Sequence, residues 1–228
     1  MIFICLDDDW IMVSTITEQE NGMSLRITGY HELRERIVDT VKEVKPNPEY
    51  WLDTGCGEGG SIRLSMDTFN DTHFILADPS KENLKGAKKS LPAKEDDRFV
   101  CLPTHKLALE NSSLDIITAI LSHHYYRDID SKREAIVNCY RMLKDGGVYL
   151  MVEHTIYDDQ DIKDKEWREY MAGSGLDESS IDQMFARRNT FYFPFKEEVH
   201  IELLKSIGFS KIEVFWRSCS DVGIYAMK

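Results

Sequence analysis

Four glycines fall within residues 55–60 of the segment LDTGCGEGGSI, with Asp53 ahead of them and Glu58 among them. Glycines at this spacing after an apolar run let the backbone turn tightly and come close to a ligand, and the usual ligand of such a loop is a nucleotide. Gly55, Gly57 and Gly60 satisfy G-x-G-x-x-G, and Asp78, closing the next apolar run, stands at the right separation to bond a ribose hydroxyl. The two acids then set the charge that the loop accepts. A unit charge about 4 Å away interacts by ~1 kcal/mol in water and by several times that once desolvated. Asp53 and Glu58 therefore disfavour a pyrophosphate, which the helix N-terminus would have to hold against them. The loop favours a ligand with a ribose and a positive charge but no phosphate. S-adenosylmethionine has that make-up: a sulfonium, an ammonium, one carboxylate and an adenosine. Asp78 would chelate both ribose hydroxyls, and the helix end would take the carboxylate. Cys56, in the same loop, reads as a small filler rather than a nucleophile, because a catalytic thiol needs a base beside it.

Strands must end beside these residues. Five short apolar runs, at 50–53, 72–79, 98–102, 114–121 and 146–154, alternate with helical segments at 61–68, 81–90 and 131–142. That alternation predicts an α/β fold with a mostly parallel sheet and helices on both faces. A helix at 34–44, with Leu33, Ile37, Val41 and Val44 on one face, comes first and is stopped by KPNP. Residues 1–25 read as polar and irregular after an opening apolar run that meets Asp7, Asp8 and Asp9. LKDGG at 143–147 reads as a helix end and turn. Two strands at 211–216 and 222–227 follow a helix at 197–207, and the five residues between them are too few for a parallel crossover, so they form an antiparallel hairpin. The expected organisation is an N-terminal lid and helix (1–45), a ligand-binding core (46–155), a helical and aromatic cap insertion (156–195) and a helix with the closing hairpin (196–228).

The 228 residues carry a formal net charge of −12, which argues against nucleic acid as a partner. Lys81, Lys85, Lys88, Lys89 and Lys94 form one basic stretch that reads as a solvated helix face. No apolar run reaches the roughly 20 residues of a membrane span, and the start lacks the basic leader of a secretory signal. Five scattered cysteines without C-x-x-C read as reduced thiols of a cytoplasmic protein and argue against a metal site.

Several segments together resemble the class I S-adenosylmethionine-dependent methyltransferases. LDTGCGEGG resembles that family's first motif and FILADPS its second. NSSLDIITAILSHHY and RMLKDGGVYLMVEH are similar to its fourth- and fifth-strand regions, and LLKSIGFSKIEVFW with VGIYAMK to its closing helix and hairpin. The resemblance covers about 30–156 and 196–228. It implies a seven-stranded sheet whose last strand is antiparallel, with S-adenosylmethionine held by Asp53, Gly55, Cys56, Gly57, Gly59, Asp78, Pro79 and Leu121. LPTHKLAL lacks the acid that often meets adenine there, which leaves Thr104 or His105 for that contact. RITGY resembles a lid element, in which Tyr30 would meet the ligand's carboxylate.

Methyl transfer from a sulfonium needs the acceptor held behind the methyl group, and a general base only where the acceptor must lose a proton. His123 and His124, after the fourth strand, are the candidate bases. Tyr125, Glu153, His154, Arg187, Arg188 and Tyr192 are the candidate acceptor contacts, with Trp167, Tyr170, Phe191 and Phe193 as further cap walls. The absence of Asn/Asp-Pro-Pro-Tyr at 121–126 argues against methylation of nucleobase amines. The function expected is methyl transfer to a small molecule. Its rivals are a carboxy-S-adenosylmethionine synthase-like enzyme linked to tRNA wobble-uridine modification, needing an arginine such as Arg187, Arg188 or Arg217, and a ligand-binding regulator without turnover. A nicotinamide oxidoreductase is disfavoured by Asp53. A homodimer is left open.

Overall fold

The computed structural model describes residues 3–6, 9–12 and 17–228, and side chains from residue 22 onward. Asp7 and Asp8, where the opening apolar run was expected to stop, lie outside the described residues. A two-stranded antiparallel ribbon, β1 (Phe3–Leu6) and β2 (Asp9–Met12), precedes helices α1 (Thr17–Arg26) and α2 (Tyr30–Val44). The irregular coil expected over 1–25 is thus partly ribbon and helix. α2 also starts earlier than its apolar stripe, because Gly29, at φ 74°, turns the chain into it.

The main sheet holds β3 (Tyr50–Thr54), β4 (His73–Ala77), β5 (Arg98–Val100), β6 (Leu114–Ile120), β7 (Leu143–His154), β8 (Ser210–Arg217) and β9 (Asp221–Met227). Their order is β5-β4-β3-β6-β7-β9-β8. β9 runs antiparallel to both neighbours and the other pairings are parallel. Helices α3 (Arg63–Thr68), α4 (Lys81–Ser90), α5 (Ile129–Met142) and α8 (Glu197–Ile207) cover the faces, while α6 (Gln160–Gly173) and α7 (Glu178–Ala186) lie between β7 and α8. β7 begins at Leu143, directly after α5, so LKDGG is the first part of the strand and only Gly146, at φ 71°, makes the turn.

Alternation along the strands explains the two cores. Trp51, Phe74, Leu76, Ile116, Val148, Leu150 and Val152 point to one face with α2, α3 and α4. Leu52, Ile75, Ile117, Tyr149 and Met151 point to the other with α5 and α8. Burial of each such side chain contributes about 1.5–3 kcal/mol. α6 and α7 share a small separate core of Trp167, Met171 and Ile181. Among the described residues no helix is long and apolar enough to cross a membrane.

Candidate functional site

The loop after β3 is shaped by three left-handed residues: Gly55, Gly57 and Gly59 have φ of 68°, 56° and 85°. Gly60 is not among them, so the working spacing is G-x-G-x-G. A Cβ on Gly55 would stand 2.3 Å from Ser122 Cβ, and one on Gly59 2.4 Å from Leu91 Cδ1, so contact as well as φ excludes other residues there. The N–H groups of Gly55 and Cys56 both donate to Ala77 O, at 2.7 and 3.0 Å, tying the loop to the tip of β4. Leu121, at φ 52°, turns the chain sharply after β6 and brings Ser122 beneath Gly55. The Ser122 hydroxyl then donates to Thr54 O at 3.0 Å.

Asp78 clamps this loop. Its Oδ2 accepts from Gly57 N–H at 2.9 Å, and its Oδ1 from Ser80 N–H at 2.8 Å and Asn83 Nδ2 at 3.0 Å. Three of the roughly four acceptor positions of a carboxylate are filled. One remains on Oδ2, room for one ribose hydroxyl rather than the two expected from sequence. Asp53 is buried; its Oδ1 accepts from the Thr118 hydroxyl at 2.6 Å, and Thr118 Oγ1 accepts from Trp51 Nε1 at 3.0 Å. Burial, partly offset by the Thr118 bond, pushes the Asp53 pKa up to about 7, with Asp78 adding to the rise. Glu58 packs against α4: a Cβ on Gly86 would stand 2.9 Å from its Cγ. The repulsion of phosphate is therefore weaker than Asp53 suggests in sequence; burial raises the Asp78 pKa too, against the bonds from Ser80, Gly57 and Asn83 that favour its ionised form. Cys56 is buried, and burial with the nearby Asp78 and Asp53 keeps its thiol protonated, as befits a filler.

The Tyr30 hydroxyl lies 3.2 Å from Ser61 Oγ at the far end of the loop. Pro79 O accepts from Cys101 Sγ at 3.4 Å beside Asp78. Thr104 and His105 are engaged elsewhere. Thr104 Oγ1 meets Thr54 Oγ1 at 2.7 Å and His123 Nε2 at 3.0 Å. His105 Nδ1 meets Tyr126 Oη at 3.1 Å. His123 completes this interior network with Nδ1 2.8 Å from Tyr149 Oη. Burial drives its pKa down to about 3, with Lys132 and His105 adding. Both nitrogens of His123 are occupied and the ring stays neutral, so it has no site for an acceptor's proton.

His124 has a different setting. Its ring stacks on His154 at 4.5 Å between centroids and meets Tyr125 edge-on at 4.3 Å and Tyr192 at 6.0 Å. Its Nδ1 is buried without a partner among the described residues, and burial above all, with the Lys132 and Arg187 charges adding, holds its pKa well below the usual range. His154 also faces Tyr192 at 4.8 Å and Trp167 at 5.7 Å, and its Nδ1 lies 2.6 Å from Asp221 Oδ1. Glu153 points into the protein instead, 2.5 Å from Lys132 Nζ, with both side chains at 0% exposure. Burial raises the Tyr125 pKa, with the charges of Arg187 and Arg26 opposing the rise and that of Asp78 adding to it.

In the cap, Arg188 is held by Asp164 at 2.6 and 2.8 Å and acts as a brace, not a free grip for an acid. The Tyr192 hydroxyl donates to Met184 O at 3.2 Å, which leaves its ring face toward His154. Arg187 lies over Phe191 at 5.1 Å and makes no ion pair among the described residues. Phe193 N–H donates to His124 O at 2.8 Å. Trp167 Nε1 donates to Arg26 O and the Tyr170 hydroxyl to Ser24 O, each at 2.6 Å, so α6 closes against the α1–α2 junction. Thr118, Lys132 and Asp221 were not anticipated from sequence. Asp221 left one legible sign: it opens the final strand, antiparallel to the strand that His154 ends.

Residues 52–151 match the family described as "Methyltransferase domain". A carboxy-S-adenosyl-L-methionine synthase of Helicobacter hepaticus is 28% identical over 203 residues, 84% of this chain and 82% of that protein. A demethylmenaquinone methyltransferase of Thermotoga maritima is 30% identical over 120 residues, 53% of this chain and 49% of that protein. Human N-acetylserotonin methyltransferase, solved with S-adenosylmethionine, superposes with a TM-score of 0.64 at 16% identity, over 93% of this chain and 54% of that one. An S-adenosylmethionine-dependent methyltransferase of Clostridium acetobutylicum gives 0.63 at 18% identity, over 87% and 91%. At these identities the structural likeness speaks for the fold.

Proposed function

We infer that this chain, a member of the class I S-adenosylmethionine-dependent methyltransferases, passes a methyl group to a small molecule held beneath its cap. The observation that carries the reading is a run of contacts. It leads from Tyr125, three residues past the Leu121–Ser122 turn that packs under Gly55, to the stacked rings of His124 and His154 beside Tyr192 and Trp167. The donor loop thus lies next to a cluster of packed aromatic rings beneath the cap, the place we assign to the acceptor. S-adenosylmethionine, when bound, supplies the electrophilic methyl group on its sulfonium. The chain's own residues do the rest. Gly55 and Gly57 let the backbone approach the donor, Asp78 accepts a ribose hydroxyl, and Asp53 balances positive charge. The cap orients the acceptor and excludes water.

Arg187, the cap arginine without a carboxylate partner among the described residues, suits an acceptor with an acidic group. The same feature supports a second reading, a carboxy-S-adenosylmethionine synthase-like enzyme, in which Arg187 holds the additional carboxylate. Arg188 and Arg217 are already committed, to Asp164 and Glu197. Mass spectrometry of the ligand retained on purified protein tests both. S-adenosylmethionine or S-adenosylhomocysteine supports methyl transfer, and carboxy-S-adenosylmethionine supports the second reading. A bound nicotinamide dinucleotide overturns both. Retention without turnover across a broad acceptor panel favours the regulator.

A further inference from the structure

We propose that His154 is the general base that takes the acceptor's proton, with Asp221 as its positioning residue, so that the acceptor is a hydroxyl, phenol or protonated amine. This rests on the methyltransferase reading. His154 ends β7 and Asp221 opens β9, and the antiparallel register sets them directly opposite. The inserted antiparallel strand is therefore what brings a carboxylate to this edge. Asp221 is fully buried, its Oδ2 accepting from the hydroxyls of Ser220 at 2.5 Å and Ser218 at 3.2 Å, which leaves Oδ1 for the ring. His154 Nδ1 is sealed from solvent 2.6 Å from that oxygen, and the ring's residual 8% exposure lies elsewhere on it. The pair is not yet aligned as a hydrogen bond, as is common before a substrate tightens a catalytic contact. With the Nδ1 proton directed at Asp221, Nε2 carries the lone pair.

The neighbouring candidates lack these features. His123 has both nitrogens occupied. His124 has no carboxylate beside it, and its surroundings make it a poor proton acceptor. His124 instead provides the stacking face that fixes the His154 ring plane. In the reaction the acceptor's X–H bond breaks toward Nε2. The freed electron pair on X forms the bond to the methyl carbon, and the S–C bond's pair stays on sulfur as a thioether. The imidazolium then returns its proton to water.

Diethyl pyrocarbonate, which acylates unprotonated imidazole nitrogens that solvent reaches, is the probe, with tandem mass spectrometry locating the adducts. Imidazole 15N shifts report the tautomer. In the full-length protein His154 is acylated, with exposed His31 as internal standard, and carries its proton on Nδ1. Asp221→Asn moves the proton to Nε2 and slows His154 acylation at least tenfold, with the S-adenosylhomocysteine dissociation constant within twofold of wild type. On an acceptor that is turned over, His154→Gln lowers kcat 10²–10⁴-fold. An unreactive His154, or an Nε2–H tautomer in the wild type, overturns the proposal. Failure to bind S-adenosylhomocysteine with the expected tautomer intact overturns the methyltransferase reading instead.

Discussion

The donor loop and the acceptor side lie next to each other on one sheet edge, yet they satisfy their polar atoms to different degrees, Asn83 Oδ1 beside Asp78 being a donor-side atom buried without a partner among the described residues. In the donor loop Asp78 fills three acceptor positions, Asp53 is bonded to Thr118, and the loop amides are bonded to Ala77. Beneath the cap, His124 Nδ1 is buried without a partner among the described residues, and His154 with Asp221 is close but misaligned. Buried polar atoms are nearly always satisfied, and unsatisfied ones mark places where a ligand or a rearrangement completes the bonding. The donor half is built before its ligand arrives. The acceptor half is left to be completed by it.

The largest expected effect tests how much the acceptor half depends on its interior charge pair. Lys132→Met leaves Glu153 as an uncompensated buried carboxylate and should cost about 3–5 kcal/mol of stability, read from urea midpoints. Lys132→Met with Glu153→Leu should recover most of that loss, since two well-packed apolar groups replace a pair at 0% exposure. A double variant no better than the single would show that the ion pair itself holds the chamber. Next in size, Asp78→Ala removes the clamp on Gly57 together with the ribose contact. It should weaken S-adenosylmethionine binding about a hundredfold by calorimetry, ~2.7 kcal/mol. Unchanged affinity would detach Asp78 from the donor site and dissolve the contrast.

The same contrast explains what the sequence revealed. The donor half was legible because it is local: one loop, Gly55 to Gly59, joined to the ends of two adjacent strands. The acceptor half draws His124, His154, Trp167, Tyr192 and Asp221 from five separate segments, and only the register of β7 with β9 brings two of them together. Adjacent like residues carried no hint of their different roles. His123 turns into the protein while His124 faces the chamber, and Arg188 is paired while Arg187 is not. Lys132 passed unremarked, although it shares a helical stripe with Ala135, Ile136 and Cys139, all buried. The alternation of strands and helices followed from the apolar runs, whereas α1 has no comparable apolar stripe to announce it.

The third effect is a pH dependence in the donor half. With a pKa of about 7, Asp53 binds a proton in the folded chain that an exposed aspartate with the ordinary value of 3.8 would release. The stability this group contributes is present below pH 4 and lost as pH rises through 7. A donor of net charge +1 prefers the ionised form. Its binding should expel a proton near pH 7, and affinity should rise about fivefold from pH 6 to pH 7, about twofold more by pH 8, and then level off. Calorimetry in two buffers of different ionisation enthalpy counts that proton. Asp53→Asn should remove the slope, and a slope that survives belongs to another group.

The smallest effect concerns the brace that holds the roof. Arg188 and Asp164 form a bidentate pair at 18% and 28% exposure, shielded enough to matter locally but wet enough to be weak globally. Arg188→Gln should therefore lower overall stability by less than about 1 kcal/mol. Its consequence should instead be concentrated in α6 and α7, whose small core of Trp167, Met171 and Ile181 is separate from the two sheet cores. Hydrogen exchange should speed in those helices and not in β3 or β4, and the acceptor KM should rise severalfold while donor affinity stays within twofold. Equal loss of donor and acceptor binding would mean that the two halves open as one unit, and the division between a pre-formed cradle and a completed chamber would fail.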